Sequence, residues 1–190
     1  MTHRTLLAAV LLSAAAALPA ASQAPGRLLS VSVEPYVGYG FFGTLPTRDA
    51  RLEGDWMLGA RAGLRLLPQW SAFGDFRRST PRVTGRLPFG VVVHGEHVTV
   101  EHWSAGLAYS QVPRGGAEGM LPLALEAGVG QARYEGGPTD LALNLGISSG
   151  IAFSPNLAIR YGANSYVSNF DGDRGWTNQV FLTVGAQLSL

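Results

Sequence analysis

The sequence contains no cysteine and no lysine, and neither charge is in marked excess. Without cysteine there is no disulfide framework, no thiolate metal site and no lipid-modified cysteine anchor. The 14 basic residues are all arginine and stand against 13 acidic residues. A nucleic-acid partner is not indicated, because such partners require a clear basic excess. We also predict no cofactor.

Long hydrophobic runs are missing after the N-terminus. Residues 6–17 follow Arg4 and form an apolar run interrupted only by Ser13, and small residues at positions 22 and 24 fit a cleavage site. The run is shorter than the roughly 20 residues of a membrane-spanning helix. We therefore predict a cleaved signal peptide at 1–24, followed by one domain at 25–190. Cleavage removes Arg4 and leaves 13 arginines against 13 acidic residues, so the mature chain is formally neutral.

In the mature chain the apolar residues recur at every second position. Trp56, Leu58 and Leu64, for example, alternate with Gly59, Arg61 and Gly63. A period of two is typical of a β-strand with one apolar face. Six segments show it clearly and two less cleanly (70–78 and 99–110). The eight predicted strands are 30–43, 54–67, 70–78, 99–110, 121–133, 139–153, 157–164 and 176–190.

The length and composition of these strands favour a transmembrane barrel over a soluble sandwich. Most segments span about 9–14 residues, whereas soluble strands typically have about 5–6 and tilted membrane strands need roughly 9–11. The face opposite the apolar one consists of Gly, Ser, Asn, Gln and charged residues, which suits the crowded interior of a narrow barrel. The predicted fold is all-β: a single antiparallel up-and-down transmembrane barrel, of eight strands.

Charged residues within the strands test this prediction independently. An arginine facing lipid near the bilayer midplane costs about 2–4 kcal/mol. Glu101 and Arg133 have the outward phase but lie near predicted extracellular rims, where the cost falls to about 0–1 kcal/mol. We predict a closed interior network of paired charges, formed by the six residues that share the inward phase: Glu34, Arg61, Arg65, Asp75, Glu126 and Arg160.

The connections alternate in length, as they do in membrane barrels. Residues 67–70 and 153–156 are predicted to be tight periplasmic turns, and 44–53, 79–96 and 167–175 longer external loops. Segments 111–120 and 135–138 depart from this alternation. Aromatic residues near the strand ends are expected to form interfacial belts: Trp70, Tyr109 and Phe153 at one end, and Phe41, Trp56 and Phe76 towards the other.

The final strand carries the most specific resemblance. It alternates to the last residue through Val180, Leu182, Val184, Ala186, Leu188 and Leu190. In this it resembles the small outer-membrane β-barrel superfamily, which includes the transmembrane domain of OmpA-type proteins, and the likeness covers the chain from Ser30 to Leu190. In that superfamily the last strand is the signal for the barrel-insertion machinery and usually ends in Phe or Trp. This chain ends in Leu190.

The resemblance implies a place in the bacterial outer membrane, among phospholipid and lipopolysaccharide. The partners expected are those lipids and, during biogenesis, the insertion machinery. We expect a monomer. The function expected is a structural or surface-interaction role without enzymatic activity.

One alternative is an enzyme in the same scaffold. The segment Asn164-Ser165-Tyr166-Val167-Ser168-Asn169 is similar to the His-x-Ser-Asn segment of the lipid A 3-O-deacylases, which would make Ser168 the nucleophile. A serine nucleophile needs an adjacent base. The position two residues before Ser168 is Tyr166 rather than histidine, and the mature chain has histidines only at 94, 97 and 102.

Other sites receive less support from the sequence. His94 and His97 have no third metal ligand at a defined spacing, and Asp171-Gly172-Asp173 lacks the further carboxylates of a calcium loop. We predict no metal site. The inward charges also allow a second alternative, a small pore. However, the interior of an eight-stranded barrel is just wide enough for side chains to fill, and Tyr36, Met57 and Phe181 are bulky inward residues.

Overall fold

Every strand in the structure pairs antiparallel with its neighbours. The structure is a computed structural model that describes residues 30–42, 50–86, 92–111, 119–136, 139–169 and 176–190. Within these ranges it has eleven strands, and no helix there is long and apolar enough to cross a membrane. The strands are β1 (Ser30–Phe41), β2 (Ala50–Leu52), β3 (Asp55–Arg65), β4 (Trp70–Ser79), β5 (Arg82–Arg86), β6 (Val92–His97), β7 (Val100–Gln111), β8 (Met120–Tyr134), β9 (Thr139–Ser154), β10 (Leu157–Asn169) and β11 (Trp176–Ser189).

Eight of these strands form a closed barrel in the order β1-β11-β10-β9-β8-β7-β4-β3. The first strand completes the ring by pairing with both β3 and β11. Barrel strands run from 10 residues in β4 to 16 in β9, which exceeds the usual length in soluble sheets. The predicted eight-stranded antiparallel barrel is confirmed.

The period-two pattern places apolar side chains on the outside of the barrel. On β9, Leu143 and Leu145 point outward and are 43% and 57% exposed, whereas the intervening Asn144 is completely buried. Successive side chains of a strand point to opposite faces, so this alternation continues around the ring. The result is an apolar exterior around a polar interior, the reverse of a soluble protein.

The ends of the barrel differ in their connections. At the turn end, β3–β4 and β9–β10 are joined by the predicted tight turns, the first closed by mutual hydrogen bonds of 3.1 and 3.2 Å between the backbones of Leu67 and Trp70. At the loop end lie the long connections from β1 to β3 and from β4 to β7. As the sequence indicated, two connections depart from the alternation: residues 135–138 at the loop end are short, and residues 112–119 at the turn end are longer. Aromatic side chains pack in pairs near both ends of the barrel. Trp70 packs on Tyr109 at the turn end, with 5.1 Å between the ring centroids, and Phe76 packs on Trp103 towards the loop end, with 4.2 Å between the centroids.

Two predicted loops contain strands that the sequence did not reveal. Segments 44–53 and 79–96 were expected to be irregular, but β2, β5 and β6 from these segments form a three-stranded sheet beyond the loop end. The hydroxyl of Thr84 donates a 2.6 Å hydrogen bond to Glu53, which joins β5 to the segment after β2. Leu52 is 2% exposed and belongs to the same buried cluster as Tyr36 and Phe181, so the sheet is packed onto the barrel interior.

Several predictions concern residues that lie outside the described ranges. These are the signal peptide at 1–24 and most of the segments 111–120 and 167–175. Val167 to Asn169, expected in a loop, form the end of β10. The short connection after β8 turns at Gly136, whose φ of +74° lies in the left-handed region that glycine tolerates.

Candidate functional site: the charged barrel interior

The structure brings five of the six predicted interior charges together. Each comes from the inward face of a different strand: Glu34 from β1, Arg61 from β3, Asp75 from β4, Glu126 from β8 and Arg160 from β10. The first four of these are at most 7% exposed. These five residues and Arg77 of β4 are called the interior network below. With three guanidinium groups and three carboxylates, it is formally neutral.

Arg61 and Glu126 form the centre of the interior network. Both terminal nitrogens of Arg61 donate to the two carboxylate oxygens of Glu126, at 2.8 Å each. The Nε of Arg61 donates at 3.3 Å to Asp75. This two-pronged contact uses the planar geometry of guanidinium and carboxylate fully, which is the arrangement that buried charges require.

Arg160 links Glu126 to the remaining carboxylate. One terminal nitrogen donates to Glu34 at 3.1 Å and the other to Glu126 at 2.5 Å. Ser148 and Asn164 complete the shell by donating to Glu126 at 2.6 and 3.1 Å. Glu126 therefore accepts hydrogen bonds from four side chains, two of which are positively charged.

Arg77 is an interior residue that the sequence reasoning missed. It is 1% exposed and donates to Asp75 from Nε and from a terminal nitrogen, at 3.0 and 2.8 Å. Its guanidinium lies 4.4 Å from the ring centroid of Tyr166 and 5.0 Å from that of Phe181. The available signal was its phase, since Arg77 stands two residues after Asp75 on the same strand.

Aromatic and polar side chains fill the barrel between the interior network and the loop end. Tyr166 and Phe181 are at most 1% exposed, and His102 packs against both rings at 5.1 and 5.3 Å between centroids. Further towards the loop end, Gln179 contacts the hydroxyl of Tyr134. Met57 is also buried here. The predicted bulky inward residues thus contribute to a packed plug.

The space left inside the interior network is very small. The cavity among Glu34, Arg61, Asp75, Glu126 and Arg160 measures about 10 Å³. A single water requires about 10–15 Å³ by the same measure. The space within the interior network is therefore about the size of one water molecule.

Arg65, the sixth predicted network residue, does not join the others. It has the inward phase but lies at the end of β3, where its side chain is exposed. It lines a separate cavity of about 130 Å³ at the turn end, and it forms no ion pair with any described residue. Including it in the network was wrong, because phase fixes the direction of a side chain but not its depth along the barrel axis.

Comparison with known proteins adds to this geometry. The sequence matches no family model and no curated protein. Among solved structures, neisserial surface protein A (NspA) superposes with a TM-score of 0.56 at 11% identity, covering 84% of this chain and 96% of NspA. The outer membrane protein OprG of Pseudomonas aeruginosa gives 0.55 at 11% identity, covering 85% of this chain and 95% of OprG. The chain has the fold of the small outer-membrane β-barrels. At this identity the likeness concerns the fold alone.

In this outer-membrane-type barrel, Ser168 points into the plug. It is 1% exposed, and its neighbours across the strands are Ala142 and Thr177. Within the described residues no histidine hydrogen-bonds to it. A nucleophile that attacks a lipid ester must reach the acyl chains outside the barrel, and Ser168 faces the opposite way.

Of the remaining candidate sites, Asp171-Gly172-Asp173 lies outside the described residues, whereas His97 and Glu135 lie at the loop end of the outer-membrane-type barrel. His97 is exposed and its Nδ1 lies 2.8 Å from the backbone oxygen of Thr80, while the side chain of His94 lies outside the described part. No group of three potential metal ligands occurs among the described residues. The Glu135 carboxylate accepts hydrogen bonds from the side chain and from the backbone N–H of Thr99. These hydrogen bonds, the one from the side chain most, lower the pKa of the Glu135 carboxyl.

The charges with outward phase are at the rim, as expected from their position. Arg78 and Glu101 face each other on β4 and β7 and approach to 3.7 Å. Glu101 is in turn opposite Arg133 on β8. The outer-membrane-type barrel therefore carries its outer-face charges close to the loop end.

The last strand closes the barrel. On β11, Val180, Leu182 and Val184 point outward and are 36–49% exposed. The strand pairs with β1 on one side and β10 on the other, and the backbone N–H of Leu190 donates to Val31 at 2.8 Å. The alternating face of Val180, Leu182, Val184, Ala186, Leu188 and Leu190 thus continues to the seam.

Proposed function

We propose that the protein is a non-enzymatic integral outer-membrane barrel with a structural or surface-interaction role. The observation that carries this proposal is the closed, neutral and hydrogen-bonded interior network. A barrel whose interior is filled at the level of Arg61, Glu126 and their partners offers neither a conduit nor a substrate pocket at that level. What remains accessible is its outer wall and its two ends.

The outer wall supports a position within a lipid bilayer. Leu141, Leu143, Leu145 and Ile147 lie in one row on β9 and are 43–65% exposed. Exposing such a surface to water around a whole barrel is unfavourable, whereas lipid solvates it. We place the turn end in the periplasm and the loop end outside the cell, with the chain exported through the predicted signal peptide and monomeric among phospholipid and lipopolysaccharide.

The loop end supports a surface role. The sheet of β2, β5 and β6 gives the described parts of the first two loops a regular structure, and Arg51 and Arg82 are exposed on it. Backbone hydrogen bonds such as that from Glu53 to Arg82, at 2.9 Å, hold this sheet together. A preformed surface loses less conformational entropy on contact with a partner than mobile loops do.

The proposal contrasts with a deacylase and with a pore. The inward, buried position of Ser168 argues against the deacylase, and the cavity of about 10 Å³ argues against the pore. Mass spectrometry of lipid A from cells with and without the protein should show the same acyl pattern. A loss of one acyl chain that depends on the protein would contradict the proposal.

The location and the closed interior need separate measurements. The protein should fractionate with outer membranes and migrate differently on detergent gels before and after boiling, as folded barrels do. In planar bilayers it should give no conductance steps above baseline. A soluble periplasmic protein without a mobility shift would overturn the membrane location, and regular steps would overturn the closed interior.

A further inference from the structure

A polar cavity opens at the turn end of the barrel, beneath the interior network. We call this cavity the turn-end cup. It measures about 130 Å³, far more than the about 10–15 Å³ that one water requires. Among the described residues its lining includes three arginines (Arg61, Arg65 and Arg160) and six serines, but no carboxylate. The cup is thus large enough for a small solute, and the charged residues described in its lining are all basic.

Arg65 is the arginine of the cup that has no ion pair with any described residue. Arg61 and Arg160 form part of the cup's inner end, but both are engaged by Glu126. Arg65 lies further out, exposed, and forms no ion pair with a described residue. Its five N–H donors are therefore available, and a guanidinium matches the geometry of carboxylate and phosphate oxygens.

Two hydroxyl groups flank Arg65 at the same level of the barrel. Ser30 on β1 and Ser71 on β4 are its direct cross-strand partners, and all three residues have the inward phase. Neither serine hydroxyl hydrogen-bonds to another described residue. Two residues further in, Gly63 lacks a side chain, and a Cβ there would lie 2.5 Å from the hydroxyl of Ser32. Gly63 therefore keeps the cup open behind the arginine.

We propose that the turn-end cup binds a free, phosphate-sized oxyanion. Arg65 is the principal ligand, and the hydroxyls of Ser30 and Ser71 donate to the same oxyanion from either side. Hydrogen bonds from a charged donor are roughly twice as strong as neutral ones, and the described part of the lining holds no carboxylate that would repel the anion. The cup opens along the barrel axis among the turns, so the anion enters from water rather than from the bilayer.

This binding site rests on the folded barrel and not on its location. Only the statement that the cup faces the periplasm depends on the proposed function. A titration of folded protein in uncharged detergent therefore tests the site by itself. A soluble location would overturn the proposed function and leave this result standing.

The test is calorimetric titration with inorganic phosphate at constant ionic strength, after the gel shift has verified folding. We expect saturable binding of one phosphate per chain. Arg65→Gln should weaken it by at least about tenfold, since one charge-assisted contact is lost. Arg133→Gln, which removes an exposed arginine from the outer face near the loop end, should leave it unchanged. Glycerol phosphate in a parallel titration shows whether a phosphate monoester is accepted as well as the free ion.

A second variant tests the flanking donors without altering charge. Ser30→Ala combined with Ser71→Ala should weaken binding by about threefold to tenfold. Absence of saturation in the folded wild-type protein would overturn the proposal. Equal weakening by Arg65→Gln and Arg133→Gln would also overturn it, because the attraction would then be general rather than local to the cup.

Discussion

Glu126 on β8 accepts hydrogen bonds from both terminal nitrogens of Arg61 on β3, at 2.8 Å each, across the barrel interior. Neither strand is the other's neighbour in the ring. The pair therefore acts as a strut across the lumen, in addition to the hydrogen bonds that run around the wall.

Removing one end of this strut should be costly. Glu126→Gln leaves Arg61 and Arg160 with only Asp75 and Glu34 as charged partners. Breaking a buried pair by removing one partner costs about 3–5 kcal/mol. Urea unfolding of the protein in lipid vesicles, followed by tryptophan fluorescence, measures this loss. As control, Glu101→Gln breaks the rim pair with Arg78 and should cost less than about 1 kcal/mol; equal losses would contradict the strut.

The adjacent residues Arg77 and Arg78 offer a matched pair of substitutions. Arg77→Lys keeps the charge but loses the double contact with Asp75 and the stacking on Tyr166, so we expect a loss of about 1–3 kcal/mol. Arg78→Lys changes a side chain that is 57% exposed and should be neutral within about 0.5 kcal/mol. The same unfolding assay distinguishes them. Equal effects would mean that Arg77 is not held by its planar geometry.

Substitution by alanine should destabilise the barrel at Gly59 but not at Gly74. Gly59 lies under the ring of Tyr36, its cross-strand partner, and an added Cβ would overlap that ring. Overpacking of this kind costs about 1–3 kcal/mol. Gly74 has no atom within 4 Å of the equivalent position, so Gly74→Ala should be close to neutral. If Gly59→Ala unfolds at the wild-type urea concentration, Tyr36 is not packed on Gly59 as described.

The position of the bilayer along the barrel can be tested by introducing an outward-facing arginine at two different heights on β9 and comparing the loss of stability. Leu145 lies in the middle of β9, and Leu141 lies near its loop end. An outward arginine costs about 2–4 kcal/mol at the bilayer midplane and about 0–1 kcal/mol near the interface. Leu145→Arg should therefore destabilise the protein in vesicles much more than Leu141→Arg. The reverse order would place the bilayer elsewhere on the barrel.

The features that the sequence predicted well are those set by a local period. Eight strands, their inner and outer faces, and the inward direction of Glu34, Asp75 and Glu126 all follow from counting residues in twos. Arg77 shares the phase of Asp75 and was within reach of the same reasoning. Arg77 and Arg78 place the same residue type on opposite faces of this strand, so phase alone distinguishes the two positions.

Features that depend on distant contacts were not predictable in this way. The depth of Arg65 and the choice of Glu126 as partner for Arg61 depend on the stagger of the closed barrel, which no single strand encodes. The sheet of β2, β5 and β6 joins residues 44–53, which contain a proline and four charged residues, to residues 79–96, which contain three glycines and two prolines. The local sequence of both segments favours loops. Its pairing is visible only once the barrel brings both connections to the same end.

The seam between β1 and β11 has a consequence for how the molecule forms. Ser32 lies opposite Ser189, so the beginning and the end of the domain meet in the wall. Until that contact is made, β1 and β11 each carry a row of unpaired backbone N–H and C=O groups. Such groups are energetically costly in lipid and can pair with a neighbouring chain. Closing a loop of almost the entire domain is entropically unfavourable and slow. Seven of the eight pairings in the wall join strands that follow one another in the wall along the chain, and only the pairing of β1 with β11 joins its two ends. A chain shortened by its last strand therefore cannot complete the ring.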